Sequence, residues 1–252
     1  MILCGGLGTR LRGVLPTLPK ALAPIAGRPF LDYVLQFLVS AGVTEVVLCI
    51  GVLGETILEY CRARKLDGLT LATSRENEPL GTGGAVKHAE QFIHTDPFLL
   101  MNGDTFLELN LAAMVEQHRK SEAAITMALT SVADAKRYGK VVTDERGLVT
   151  AFQEKEAGDG HLARNATGTS ERAFGQKINA GCYAIRREVL KYIPVAPPAV
   201  SFETDVLPTF VLKGLQGYST DGFFIDIGVP EDFVRAQAAM CGRPSFGAAN
   251  PS

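Results

Sequence analysis

Over the first hundred residues, short apolar runs alternate with segments of helical period, and that alternation leaves a chain few folds to choose from. Met1 to Leu3 is an apolar stub, and Pro29 to Ala41 then repeats Leu31, Val34, Leu35, Leu38 and Ala41 at helical spacing before Gly42 stops it. Glu45 to Ile50 (EVVLCI) predicts a strand, Glu55 to Arg64 an amphipathic helix, Leu69 to Thr73 a strand, Thr82 to Ile93 a helix and Phe98 to Met101 a buried strand. Strands separated by helices in this way lie parallel, and helices cover both faces of the sheet they form. The expected fold class is α/β, with a Rossmann-like, mostly parallel sheet.

After residue 104 the rhythm changes. A helix near Leu111 to Lys120 is followed by strand-like stretches at Ala124 to Val132, Lys140 to Thr143, Leu148 to Glu154 and Lys177 to Arg186, which predicts a smaller α+β portion. Ser201 is placed to cap a helix running toward Leu212, and Pro230 with Glu231 and Asp232 makes a favourable first turn for a helix ending near Met240. Ala157 to Lys177 is small, polar and aperiodic, which predicts a mobile loop; residues 242–252 predict a flexible tail. Residues 1–241 are expected to form a single domain.

Composition closes off several classes of function. With 46% hydrophobic and 21% charged residues the chain lies far from the composition of disorder. Its apolar runs are broken well short of the ~20 residues that cross a bilayer, so no membrane segment is expected. The N-terminus shows no basic stretch leading into a long apolar one, which favours a cytoplasmic location. The five cysteines are scattered without a C-x-x-C pair and read as buried reduced thiols rather than a zinc or disulfide framework. A net charge of −2 argues against a general nucleic-acid surface. Residues 1–31 nevertheless carry Arg10, Arg12, Lys20 and Arg28 and no acid, which marks a local anion site.

That anion site has a structure of its own in Cys4-Gly5-Gly6-Leu7-Gly8-Thr9-Arg10-Leu11, which directly follows the apolar stub and precedes Pro19-Lys20. Glycines let backbone approach a phosphate, and successive N–H groups form an anion-binding concavity. The dinucleotide fingerprint would need a third glycine where Leu11 stands, and the P-loop ending G-K-[ST] occurs nowhere.

The segment resembles the nucleotidyltransferase family of sugar-phosphate pyrophosphorylases, whose pattern is G-G-x-G-T-R-L followed after a spacer by P-K. Further landmarks of that family recur in order as Gly81-Thr82-Gly83-Gly84-Ala85, Asn102-Gly103-Asp104, Tyr138-Gly139, Glu154-Lys155, Asn179-Ala180-Gly181 and Asp226-Ile227-Gly228. Within the family, Leu18 to Phe30, Glu78 to Ala85 and Phe223 to Phe233 are most similar to enzymes that act on D-glycero-α-D-manno-heptose 1-phosphate. The stretch before Cys4 is shorter than the family's usual one, and Ala157 to Lys177 is longer. No hexapeptide repeat follows the Asp226 segment, so no appended acyltransferase domain is expected.

The resemblance implies in-line attack of a sugar-phosphate oxygen on the α-phosphorus of a nucleoside triphosphate, GTP in the most similar members, with release of pyrophosphate. Arg10 would lie on the triphosphate and Lys20 between the two phosphates as the catalytic cations. Asp104 and Asp226 would hold Mg2+. Cys4, Gly5, Gly6, Gly8, Thr9, Gly81, Thr82 and Gly103 would bind nucleotide, with Glu78 reading the guanine edge, although Glu76 is equally acidic and as near. Gly139, Glu154, Lys155, Asn179 and Gly181 would bind the sugar 1-phosphate, and a homodimer is compatible with the family.

A nucleotide-sugar-dependent glycosyltransferase would share the sheet and the metal, but its usual D-x-D motif is absent from the sequence. A regulatory subunit of the pyrophosphorylase type would tend to lose catalytic cations or carboxylates, and Arg10, Lys20, Asp104 and Asp226 are all present. The histidines at 88, 94, 118 and 161 have no ligand or catalytic spacing.

Overall fold

The computed structural model describes residues 1–6, 11, 13, 15, 17–51, 53–64, 67–132, 134–135, 137–153, 177–195 and 197–242. In chain order the elements are β1 (Ile2–Leu3), β2 (Pro24–Ile25), β3 (Arg28–Pro29), α1 (Phe30–Ser40), β4 (Glu45–Ile50), α2 (Gly54–Ala63), β5 (Thr70–Arg75) and α3 (Gly81–His88). Then come β6 (Phe98–Asn102), β7 (Thr105–Leu107), α4 (Leu111–Lys120), β8 (Ile125–Ser131), β9 (Lys140–Thr143), β10 (Val149–Gln153), β11 (Lys177–Ile185), β12 (Leu215–Ser219), β13 (Phe224–Asp226) and α5 (Pro230–Ala239). The chain divides into two compact units.

The first unit comprises Met1–Pro79, Met101–Glu108 and Phe223–Ser252. Here β6, β1, β4 and β5 stand side by side, every pair parallel, with α1 and α2 as the crossovers between β1, β4 and β5. This is the α/β architecture that the alternation predicts. α1 forms because Leu31, Val34, Leu35 and Leu38 fall on a buried stripe, and Gly42 ends it in the left-handed region at φ +80°. Asp32 on α1 is buried, satisfied by the Tyr60 hydroxyl and the Arg64 guanidinium. Phe37 packs edge-on against Phe106 at 5.7 Å. Because the strands run parallel, their carboxyl ends fall on one edge, where Gly5, Gly51, Glu76 and Gly103 follow β1, β4, β5 and β6 in turn.

The second unit comprises Leu80–Leu100 and Leu109–Gly222. β10, β9, β11 and β8 are antiparallel in succession, while β12 joins β8 in parallel, which is the change to α+β expected after residue 104. β11 carries an irregularity between Asn179 and Tyr183. α4 buries His118 against β8, where its Nδ1 lies 2.8 Å from Thr126 Oγ1 and its Nε2 makes no hydrogen bond. Burial first, and then the nearby Arg186 charge, push the His118 pKa down to about 4, so the ring is held neutral.

Two local expectations change. The stretch after Ser201 is a π turn at Phe202–Val206 followed by a 3-10 turn at Leu207–Phe210, not a regular helix to Leu212. Ser201 caps it as predicted, with Oγ accepting the Thr204 N–H, but Pro208 has no N–H to continue an α-helical ladder. None of the five cysteines is in a disulfide, yet only Cys4, Cys49 and Cys182 are buried; Cys61 is half-buried and Cys241 exposed. Among the described residues no helix is long and apolar enough to cross a membrane.

Candidate active site

The carboxyl edge of the parallel sheet gathers most of the nucleotide and metal residues that lie in the first unit. β1 runs into Gly5 and Gly6; Cys4 stays in the core, its N–H donating to Cys49 O at 2.8 Å and its thiol pushed up by burial. At Gly6 a side chain would meet nothing within 4 Å among the described residues. Gly103 is demanded by close approach, since a Cβ there would lie 2.5 Å from Leu3 O, and its N–H donates to that same carbonyl at 2.9 Å.

Asp104 and Asp226 are brought together by a ladder with no periodic signature in the sequence. β7 and β13 pair antiparallel with Asp226 opposite Thr105, and the Ile227 N–H donates to Asp104 O at 2.9 Å. Lys20, in a 3-10 turn after Pro19, places Nζ 3.2 Å from Asp104 Oδ2, with side chains 22% and 31% exposed. Asp226 Oδ1 accepts the Gly228 N–H, and a Cβ at Gly228 would come within 3.7 Å of Lys20 Nζ. Two half-exposed carboxylates beside one ammonium suit a magnesium ion, which takes one or two protein carboxylates and completes its shell with phosphate and water oxygens.

The first unit also has a cleft of about 300 Å³ whose lining includes Gly51, Leu53, Arg75, Glu76, Asn77 and Glu78. Of the two acids weighed for base reading, Glu78 is exposed and Glu76 half-buried. Glu76 Oε1 occupies space that glycines leave open: a Cβ at Gly51 would lie 2.4 Å from it, and one at Gly5 3.0 Å. The Glu76 N–H donates to Ile50 O at 2.9 Å, which fixes the residue in register with the end of β4. Glu76 directly follows the end of β5.

In the second unit, Gly81-Thr82-Gly83-Gly84 opens α3. Gly81 has φ +77°, and a Cβ there would come within 2.4 Å of Val200 O, the carbonyl that also accepts the Gly83 N–H at 2.8 Å. Thr82 Oγ1 donates to Glu203 Oε2 at 2.6 Å and accepts from the Phe202 N–H at 2.8 Å. Sequence reasoning did not connect residues 200–203 to this motif, because the contact spans more than a hundred residues.

Gly139 and Asn179 meet, with the Asn179 N–H donating to Gly139 O at 2.8 Å. Asn179 Oδ1 accepts the Gly181 N–H at 3.0 Å and its Nδ2 donates to Tyr183 Oη at 2.7 Å, while Gly181 takes φ +69° at the irregularity in β11. Thus Gly139, Asn179 and Gly181 form one local feature. Gly8, Thr9, Arg10, Glu154 and Lys155, and the loop predicted at 157–177 apart from Lys177, lie outside the described residues, as does the predicted tail from residue 243.

Comparison with known proteins points the same way as the edge geometry. Residues 1–242 match the nucleotidyl transferase family. The chain is 35% identical over 233 residues to the D-glycero-α-D-manno-heptose 1-phosphate guanylyltransferase of Campylobacter jejuni, spanning 92% of this chain and 96% of that protein. It is 36% identical over 241 residues to the enzyme of the same name from Aneurinibacillus thermoaerophilus, spanning 95% and 97%. The crystal structure of HddC from Yersinia pseudotuberculosis, also solved in complex with GMP-PN, superimposes with a TM-score of 0.78 at 31% identity and covers 95% of this chain and 97% of that one. With the glycine turn, the paired carboxylates and their lysine on one sheet edge, and a family match that spans nearly the whole length, the chain belongs to the nucleotidyl transferase family.

Proposed function

We propose that this protein transfers GMP from GTP to D-glycero-α-D-manno-heptose 1-phosphate, forming the GDP-sugar and pyrophosphate, with Mg2+ as cofactor. The observation that carries the base assignment is the Glu76 carboxylate seated in the gap left by Gly5 and Gly51 at the head of the cleft. Guanine presents two adjacent N–H donors on one edge, which a carboxylate accepts together, whereas uracil and thymine offer a single N–H between two carbonyls. The names of the relatives that align over nearly their whole length support the sugar assignment.

In this scheme the Gly5–Gly6 turn offers backbone to the triphosphate, with Arg10 as a further cation on it. Asp104 and Asp226 would hold the metal, which when bound neutralises phosphate charge and orients the triphosphate. Lys20 gives its compact charge to the phosphates at the reacting end, where negative charge grows as pyrophosphate leaves. The sugar phosphate is assigned to Gly139, Asn179 and Gly181 together with Glu154 and Lys155.

Glu76→Gln tests the base assignment. Replacing one acceptor oxygen by an NH2 group sets donor against donor at the guanine edge, so kcat/KM for GTP falls about ten- to hundredfold while that for UTP changes little. Initial rates of pyrophosphate release with both triphosphates measure it. An unchanged GTP-to-UTP ratio in the variant removes Glu76 from base recognition.

A further inference from the structure

Leu53 stands where a leucine is poorly suited. It is the third residue of a four-residue turn closed by the Gly54 N–H donating to Gly51 O at 2.9 Å, and its backbone is left-handed at φ 63°, ψ 19°. That position in a turn favours glycine or asparagine, because a β-carbon crowds the neighbouring carbonyl there. Two glycines bracket the turn, yet the strained position holds a branched apolar side chain.

The same side chain is 41% exposed, one of few large apolar groups on the described surface. Leu212 also combines a positive φ with an exposed side chain, so what sets Leu53 apart is its place in the fold. What Leu53 does border is the cleft that contains Glu76, whose remaining large side chains are chiefly polar: Glu55, Arg75, Asn77 and Glu78. Arg75 is drawn to Glu55 by an ion pair at 3.2 Å. Among the described residues the lining therefore carries three carboxylates, Glu55, Glu76 and Glu78, and two apolar side chains, Leu53 and Pro79, of which Leu53 is the branched one. A flat heteroaromatic ring with donors on one edge satisfies both features at once, its edge on a carboxylate and its face on the branched aliphatic side chain.

We infer that Leu53 is a substrate-binding residue, the apolar surface on which the nucleobase lies while Glu76 reads its edge. The inference rests on the nucleotide-binding role of this cleft and adds a contact that ignores base identity. Glu76 discriminates between bases; Leu53 contributes affinity to all of them. Its exposure is a feature of the unliganded protein, removed in part when a base covers the side chain.

The test is Leu53→Asn, which suits the left-handed backbone and removes the apolar surface, with Leu53→Ala beside it. Both variants raise the Kd for GTP about tenfold, the scale of losing most of one leucine's contact, and raise the Kd for ITP and UTP by the same factor. Calorimetric titration without sugar phosphate reads this directly. The KM for sugar phosphate stays as in the wild type, and the melting temperature of Leu53→Asn is equal to or above the wild-type value. A leucine that only supports the fold gives the opposite pattern, a lowered melting temperature with triphosphate affinities within twofold of wild type, and that result overturns the inference. If wild-type protein prefers another triphosphate, the base assignment falls, whereas a uniform loss in the variants still upholds Leu53. If wild-type protein binds no triphosphate, both fall together.

Discussion

Asp104→Asn lowers turnover by about two to three orders of magnitude at saturating substrates, the range expected when a preorganised charge at a phosphoryl centre is removed. The substitution keeps the shape of the side chain and its place after β6, so the Ile227 N–H to Asp104 O bond and the β7–β13 ladder remain. What it removes is the negative charge, one of the two that can hold a divalent ion beside Lys20. An amide oxygen is a weaker ligand for a hard cation, so the half-saturating Mg2+ concentration also rises. Rates of pyrophosphate release across a magnesium titration, with melting temperature as the control for folding, measure both effects. Turnover within tenfold of wild type and an unchanged metal requirement would show that Asp104 serves the ladder rather than the chemistry.

Lys20→Met produces a loss of similar size with the opposite sign on the metal. Methionine keeps the length and apolar stem of the side chain and deletes the ammonium group 3.2 Å from Asp104 Oδ2. Turnover falls about a hundredfold, since the charge that meets the departing pyrophosphate is gone. Asp104 then no longer shares its carboxylate with a cation, and half-saturating Mg2+ falls by roughly three- to fivefold, the scale of a partly exposed ion pair. The two variants thus separate the roles of the carboxylate and the ammonium. A Lys20→Met enzyme that needs more magnesium than wild type would mean that Lys20 helps to position Asp104 for the metal instead of competing with it.

Elements whose pattern is local were legible in the sequence, while contacts made at a distance were not. β4 and β9 appear with the limits their residues predict, and α4 with the period its apolar positions set, because periodicity and turn residues act within a few positions of each other. The glycine turn after β1 was equally legible, since an apolar stub followed by Gly5 and Gly6 is a statement about backbone. β7 and β13 are three residues each, too short for a period, so the meeting of Asp104 with Asp226 could be expected only from the resemblance. Gly81 to Gly84 looked like a ligand loop; the need for glycine there also comes from Val200 O, which lies far along the chain. The preference for Glu76 over Glu78 proposed above rests on the space that Gly5 and Gly51 leave to Glu76, which no pattern within residues 75–80 encodes. Leu53 drew no notice, since an isolated leucine next to a helix start carries no signal until its backbone angle and exposure are known.

The most direct measurement is pyrophosphate release by the wild-type protein over a matrix of GTP, UTP and dTTP against D-glycero-α-D-manno-heptose, mannose and glucose 1-phosphates, each with Mg2+ and with excess chelator. GTP with the heptose 1-phosphate gives the highest kcat/KM, mannose 1-phosphate is slower because it lacks one hydroxymethylene unit, and chelator abolishes every rate. Base preference is sharper than sugar preference, because an unmatched edge sets a carbonyl against the Glu76 carboxylate whereas a missing hydroxymethylene leaves only a gap. A maximum with UTP or dTTP, or glucose 1-phosphate outperforming both manno sugars, contradicts the assignment.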